Sequence, residues 1–449
     1  MNDYIDKTLT KLRERDPYET EFHEAVQEVF ASVGPVLDAH PEYRDHALLE
    51  RMIEPDRIIS FRVVWMDDHG QPQINRGWRV QFNGAIGPYK GGLRFAENLS
   101  LGTLKFLGFE QTFKNALTGL PMGGGKGGSD FTPAGKCDSE IMRFCQAFMT
   151  ELYRHIGPEI DVPAGDIGVS SKEIGWLYGQ YRRLTGTWQN SVLTGKDPAY
   201  GGSLLRPEAT GYGAVTFLQE VLHHENDTIQ GKRIAVSGYG NAAWGVIKKA
   251  ASLGALPVTV SGRDGYVYDP DGIVTEEKIN ALLEIRADSH RSVQMYAERF
   301  HVPFFPGEKP WGNVEADIWM PCATQNEVRA EDAAKIIRAG GKYYMEVSNM
   351  PTEPDALHLL KEAGYICAPS KAVNAGGVAV SGLEMSQNRT GLMWTADEVN
   401  SRLDSIMKNI YRSSVEAAEA YGFGYDLNKG ANIAGFQRVA DAMIKQGWF

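Results

Sequence analysis

Apolar residues in the first forty positions recur at helical spacing: Ile5, Leu9 and Leu12, then Phe22, Val26, Val29, Phe30 and Val33. Amphipathic helices are the expectation there. From Arg57 the period shortens to two. Ile58-Ile59-Ser60-Phe61-Arg62-Val63-Val64-Trp65, a turn at Asp67-Asp68-His69-Gly70 and alternation through Trp78, Val80 and Phe82 predict a β-hairpin feeding a sheet. Helical spacing returns over 101–117, where Leu104, Phe109, Phe113 and Leu117 face inward and Gln111 and Lys114 share another face. A second stripe, Ile141, Cys145, Phe148, Leu152 and Ile156, predicts a core helix over 139–156, and 160–164 reads as a strand.

A glycine-rich stretch at 195–203 is read as a hinge, after which Arg206-Pro207-Glu208-Ala209-Thr210 opens a helix with proline in its first turn. A strand at 233–237, a helix to Leu253, Gly254 as a stop and a strand at 256–260 follow. The remainder alternates: helices near 275–288 and 290–299, a strand at 318–322, a helix at 331–339, a strand at 343–347 and a helix at 353–363. Two long helices, 396–420 and 435–446, finish the chain. Such alternation implies a parallel, doubly wound sheet. With 449 residues, the chain is read as an α/β protein of two domains.

Candidate chemistry sits at the junctions. Gly123-Gly124-Gly125-Lys126-Gly127-Gly128 is read as a loop, a glycine cradle around an ammonium group. A nucleoside-triphosphate loop is excluded, because Leu120 stands where the first glycine of G-x-x-x-x-G-K-[ST] belongs and Gly127 where Ser or Thr must hold magnesium. Lys90 lies in a second glycine-flanked stretch, and with Lys114 and Gln111 it converges on the neighbourhood of Lys126. That concentration suits an anionic small molecule better than solvated surface lysines. Asp166, between Gly165 and Gly168 at a predicted strand end, is either a turn-former or a working acid. Gly238-Tyr239-Gly240-Asn241-Ala242-Ala243 follows a strand and opens a helix, the context a G-x-G-x-x-A dinucleotide fingerprint requires. Asn326, Asn349 and Asn374 follow three successive strand ends, the ligand side of such a sheet.

Composition narrows the partners. A net charge of −11 argues against nucleic acid or an anionic membrane surface, and no run reaches the ~18 apolar residues of a membrane span. The four cysteines, Cys137, Cys145, Cys322 and Cys367, show neither C-x-x-C nor metal-ligand spacing. They are read as buried small hydrophobes in a reducing, cytoplasmic compartment, and no metal is expected.

At this point the residues resemble the hexameric glutamate dehydrogenases of bacteria, within the Glu/Leu/Phe/Val dehydrogenase family. The motifs GPYKGGLRF at 87–95, PMGGGKGGSD at 121–130, DVPAGD at 161–166 and APSKAVNAGG at 368–377 carry the resemblance, which runs nearly end to end. It implies a substrate and oligomerisation domain over 1–200, completed by a C-terminal helix within 425–449, and a Rossmann-type dinucleotide-binding domain over 201–424. It also implies a homohexamer that interconverts L-glutamate with 2-oxoglutarate and ammonium using NADP or NAD.

By position, Lys126 is then the catalytic lysine and Asp166 its proton-relay partner. Lys114 and Gln111 hold the substrate α-carboxylate, Lys90 and Ser381 the γ-carboxylate, and Gly165 belongs to the same substrate site. Thr210, Gly238, Gly240, Asn241, Ala243, Asn349 and Asn374 contact coenzyme. Burial and two neighbouring lysines are expected to lower the Lys126 pKa. Arg263, the first long side chain past the second Rossmann strand, tips the expectation towards NADPH, while the adjacent Asp264 argues for NAD. A branched-chain or phenylalanine dehydrogenase is the alternative that shares the fold, and it would be expected to carry apolar residues in place of Lys90 and Ser381.

Overall fold

Two five-stranded sheets organise the chain, which the computed structural model describes over residues 2–288 and 292–447. The first contains β1 (Arg57–Met66), β2 (Pro72–Asn83), β3 (Tyr89–Phe95), β4 (Gly124–Ser129) and β5 (Asp161–Gly165), in the order β1-β2-β4-β3-β5. β1 and β2 form the expected antiparallel hairpin, while β3 runs parallel to both β4 and β5.

One face of this sheet packs on helix Leu101–Leu117, with Asp3–Arg15, Thr20–Ala39 and the last helix, Leu427–Lys445, behind it. The opposite face packs Leu93, Phe95 and Val63 against helices Asp138–Leu152 and Ser171–Thr185. The last helix starts earlier than its apolar stripe announced. Its N-terminus is set by the Asp426 carboxylate, which accepts from the amides of Asn428 and Lys429.

The glycine cradle around Lys126 is not a loop, as expected, but the buried strand β4 inside the sheet. Its glycines serve packing as well as access. A Cβ on Gly124 would lie 1.9 Å from Thr112 Oγ1 on helix Leu101–Leu117, so only glycine lets that helix descend onto the strand. Likewise a Cβ on Gly91 would lie 1.7 Å from the Gly125 carbonyl oxygen.

The second sheet holds β6 (Arg233–Val236), β7 (Leu256–Pro257), β11 (Ile318–Met320), β12 (Tyr343–Met345) and β13 (Ile366–Ala368), all parallel, in the order β13-β12-β11-β6-β7. Side chains alternate between two helical layers, as a doubly wound sheet requires. Ile234, Val236, Ile318 and Met320 join the core under helices Ala209–His224 and Asn241–Ser252, while Ala235, Trp319 and Tyr344 join that under Ala330–Ala339 and Pro354–Glu362.

The strand expected at 256–260 is split. After Pro257 the chain leaves this sheet, and β8 (Thr259–Ser261) pairs instead with β9 (Gly265–Tyr268), which in turn pairs with β10 (Phe304–Pro306), in a small antiparallel sheet that periodicity did not reveal. Pro207 precedes the helix it was expected to open, which begins at Ala209. The helix expected over 139–156 ends at Leu152 and continues as a single 3₁₀ turn. Of the helix expected over 290–299, positions 290 and 291 lie outside the described residues; the observed element is Gln294–Phe300. Cys145, Cys322 and Cys367 are buried, but Cys137 is exposed at the start of helix Asp138–Leu152, its thiol 2.8 Å from an Asp68 oxygen. Among the described residues no helix is long and apolar enough to cross a membrane.

Candidate active site

Strand periodicity and register bring the charged groups to one place. On β3, Lys90, Gly92 and Arg94 share a face by the period of two, and the register sets Lys90 beside Val162, Gly92 beside Ala164 and Arg94 beside Gly128. The same face therefore carries Lys126 on β4 and, just past β5, Asp166. Gly92 keeps that corner open, since a Cβ there would stand 2.7 Å from Cβ of Asp166. Helix Leu101–Leu117 covers this face and delivers Gln111 and Lys114.

The result is a cavity of about 210 Å³ between the two sheets. Lys90, Gln111, Lys114, Lys126, Gly165 and Asp166 line it from the chain before the 195–203 stretch, and Thr210, Asn349, Asn374 and Ser381 from the chain after it. Arg206 lines it too. Lys114 spans the gap, donating to Asn349 Oδ1 at 3.2 Å and also to Asn374 Oδ1, so asparagines that follow β12 and β13 meet a lysine of the first sheet's helix.

Electrostatics differ from lysine to lysine. Lys126 Nζ lies 3.1 Å from Asp166 Oδ1, and Arg94 Nε lies 2.7 Å from Oδ2 of the same carboxylate. Burial pushes the Lys126 ammonium down from its ordinary value; Asp166 opposes this and Arg94 adds to it. The like charges acting most strongly on Lys126 are thus Arg94 and Arg79, not the two lysines expected. Burial alone would raise the Asp166 carboxyl, but the charges of Lys126 and Arg94 outweigh it and hold the group down at about 2. Burial, followed by the charge of Lys126, brings Lys114 to about 8. Lys90 is buried, donates to Thr194 Oγ1 at 2.7 Å, and is pushed well below its ordinary value by burial and by Arg79.

Five of the expected coenzyme residues lie outside this cavity, at the C-terminal ends of β6 and β8. Gly238 has φ 77, a left-handed turn, and Gly240 precedes helix Asn241–Ser252 with no side chain capping the helix amides. The helix start therefore presents amides uncapped by a side chain, beside glycines without Cβ atoms, which suits a pyrophosphate. Ala243 is buried against the sheet, and Asn241 is exposed at the helix start. Arg263 is exposed, whereas Asp264 is already engaged: its Oδ2 accepts from Ser292 Oγ at 2.6 Å and Gln294 N at 3.3 Å. Asn326 is exposed and lies outside the cavity.

Three residues with polar or charged side chains in the cavity and its support escaped the sequence reading: Arg94, Thr194 and Arg206. Arg94 was within reach, since it follows Lys90 at the strand interval i+4. Nothing local marks Thr194 or Arg206, which arrive from the segment between the two sheets. That segment, read as a hinge, is anchored on helix Gly376–Thr390: Lys196 Nζ lies 2.6 Å from Glu384 Oε1 in a fully buried pair, and Gly195 N donates to the same carboxylate.

The arrangement offers two further lysines, Lys90 and Lys114, the latter with Gln111, in one cavity with a lysine–carboxylate pair suited to moving protons. Beside it stands the glycine turn of the expected dinucleotide fingerprint.

Comparison with known proteins relates the whole chain to one family. Residues 55–183 match the model of the Glu/Leu/Phe/Val dehydrogenase dimerisation domain, and residues 201–447 that of Glutamate/Leucine/Phenylalanine/Valine dehydrogenase. The chain is 61% identical to the NAD-specific glutamate dehydrogenase of Clostridium symbiosum over 448 residues, covering 100% of this chain and 99% of the relative. It is 52% identical to the NADP-specific glutamate dehydrogenase of Haemophilus influenzae over 448 residues, 99% and 98% of the two chains. A solved structure named glutamate dehydrogenase superposes with a TM-score of 0.98 at 61% identity, covering 99% of each chain.

Proposed function

The chain belongs to the Glu/Leu/Phe/Val dehydrogenase family, and from that membership we propose that the cavity between its sheets carries out the reversible oxidative deamination of L-glutamate to 2-oxoglutarate and ammonium. The observation that carries this reading is the placement of Lys90 and Lys114 around the Lys126–Asp166 pair. A dicarboxylic amino acid matches two cationic ends, whereas a branched-chain or aromatic substrate would leave the buried Lys90 without an anion.

In this reading Lys114 and Gln111 hold the α-carboxylate, Lys90 and Ser381 the γ-carboxylate, and Gly165 leaves room for the substrate backbone. A nicotinamide dinucleotide, NAD or NADP, supplies the hydride acceptor or donor. Gly238, Gly240, Asn241 and Ala243 would hold its pyrophosphate end, and Thr210, Asn349 and Asn374 the end nearer the cavity. Lys126, its pKa lowered, takes a proton as water adds to the substrate imine and returns one as the amine leaves. Asp166 is ionised at rest beside it, positions the ammonium, and passes protons between it and solvent by taking one up and releasing it.

We place the substrate and oligomerisation unit at 1–200 with 425–449, and the dinucleotide unit at 201–424. Support comes from the last helix, whose Ile433, Phe436, Val439 and Ala440 share a core with helix Leu101–Leu117. A homohexamer is the proposed assembly: Val64, Met66 and Ile74 leave an apolar strip exposed on the outer hairpin, within the segment that matches the dimerisation domain. The expected compartment is the cytoplasm. Arg263 supports a preference for NADPH, because the neighbouring Asp264 is engaged with Ser292 and Gln294.

Initial rates of NADPH and NADH oxidation with 2-oxoglutarate and ammonium test the reading. Turnover with 2-oxoglutarate far above that with branched-chain or aromatic 2-oxo acids is expected. The reverse order would overturn it.

A further inference from the structure

We propose that Glu327 is a positioning residue of the coenzyme site, bracing the turn after β11 against the fingerprint turn after β6. This rests on the reading of Gly238 to Ala243 as the dinucleotide turn. Glu327 lies outside the catalytic cavity, and no step above uses it.

The geometry is specific. Glu327 Oε1 accepts from Ser237 Oγ at 2.9 Å, from Ala323 N at 3.0 Å and from Thr324 N at 3.3 Å. Ser237 Oγ in turn accepts from Cys322 N at 2.9 Å. These groups belong to the C-terminal ends of neighbouring parallel strands, registered Val236 to Met320. Ser237 immediately precedes Gly238, whose missing Cβ would stand 3.2 Å from Cα of Ala323. The two turns therefore touch on the glycine side and are tied on the carboxylate side. Asn326, in the left-handed region at φ 53, turns the chain so that Glu327 points back beneath its own loop, while residues 323–326 remain exposed above it.

A carboxylate held there also carries charge one residue from the turn that receives the pyrophosphate. Burial raises its pKa to about 7, with the three hydrogen bonds acting against burial. Of the groups facing it, Cys322 and Tyr344 are pushed well above their ordinary values by burial, and Lys309, which donates to the Glu327 carbonyl at 2.6 Å, is paired with Asp332 at 3.2 Å. The neutral acid keeps a carbonyl oxygen for the same donors, so bracing survives protonation while the negative charge is lost. Coenzyme phosphates consequently meet less repulsion below pH 7 than above it, and affinity falls as pH rises.

Fluorescence titration of the full chain with NADH and with NADPH from pH 6 to pH 9 tests this, using the wild type, Glu327→Gln and Glu327→Ala. For the wild type the Kd is expected to rise roughly three- to thirty-fold across that range. Glu327→Gln, which keeps an acceptor without charge, is expected to give a flat profile and to bind more tightly than the wild type at the alkaline end. Glu327→Ala leaves buried donors unpaired and is expected to weaken both coenzymes at every pH by on the order of tenfold, seen in the Kd. A wild-type pH dependence that persists in Glu327→Gln, or a Glu327→Ala variant that binds like the wild type, overturns the proposal while leaving the dinucleotide reading intact. A wild type that binds neither coenzyme overturns both. Should Glu327→Ala fail to fold, Glu327→Gln alone decides.

Discussion

Asp166 carries the most charge-dependent part of the site, and Asp166→Asn is its sharpest test. The carboxylate is 15% exposed and shared between Arg94 Nε at 2.7 Å and Lys126 Nζ at 3.1 Å, with a pKa of about 2. Against an ordinary aspartate near 3.9, that depression corresponds to roughly 2.5 kcal/mol of stabilisation by the charged form. The sign follows from the direction: a carboxyl depressed in the folded state stabilises it above the unfolded pKa, and the contribution is lost as pH falls through about 2. At neutral pH the asparagine variant should therefore lose about 2–3 kcal/mol and melt a few degrees lower. Lys126 loses its counter-charge and keeps Arg94, so its pKa moves further down. Turnover at saturating glutamate and coenzyme should fall roughly 10²–10⁴-fold, with the acidic limb of the rate profile displaced to lower pH. Scanning fluorimetry together with rates from pH 6 to pH 10 gives both readouts. A rate within tenfold of the wild type, or a limb displaced to higher pH, would refute the assignment.

Lys90→Leu with Ser381→Val should shift preference from glutamate towards norleucine and methionine, judged by kcat/KM with competing substrates; an unchanged preference for glutamate counts against the γ-carboxylate assignment. Lys114, at about 8, is charged below that pH and neutral above it, so the KM for glutamate should climb above about pH 8. Lys114→Met should remove that climb, and a wild-type KM that is level to pH 9.5 would contradict it. Arg263→Ala should weaken NADPH by roughly 10- to 150-fold while barely changing NADH, since a charge-assisted contact contributes about 1.5–3 kcal/mol. Equal losses for both coenzymes, measured as Kd, would show that Arg263 does not read the 2′-phosphate.

What the sequence disclosed depended on how far each contact reaches along the chain. Helices with long apolar stripes, such as 101–117 and 396–420, were legible because their period is local. The alternation of the second half likewise announced a parallel sheet. The Lys126 stretch misled, because glycines that admit a helix and neighbouring strands look identical in sequence to glycines of an open loop; only the approach of Thr112 to Gly124 separates the two. β8, β9 and β10 are too short for a period to register. The lysines of the cavity were legible through their glycine settings and the family motifs, but the hydroxyl on Lys90 and the guanidinium of Arg206 come from residues 194 and 206, whose sequence neighbourhoods show no chemistry.

The central claim is that Lys126 moves the protons of glutamate deamination within a cavity that substrate and coenzyme reach independently of it. The most direct measurement is turnover of Lys126→Ala at saturating glutamate, beside a coenzyme titration of the same preparation. A folded oligomer that binds coenzyme as the wild type does and turns over roughly 10²–10⁴-fold more slowly is the predicted result. More than about a tenth of the wild-type rate, with coenzyme binding intact, would contradict the role of Lys126.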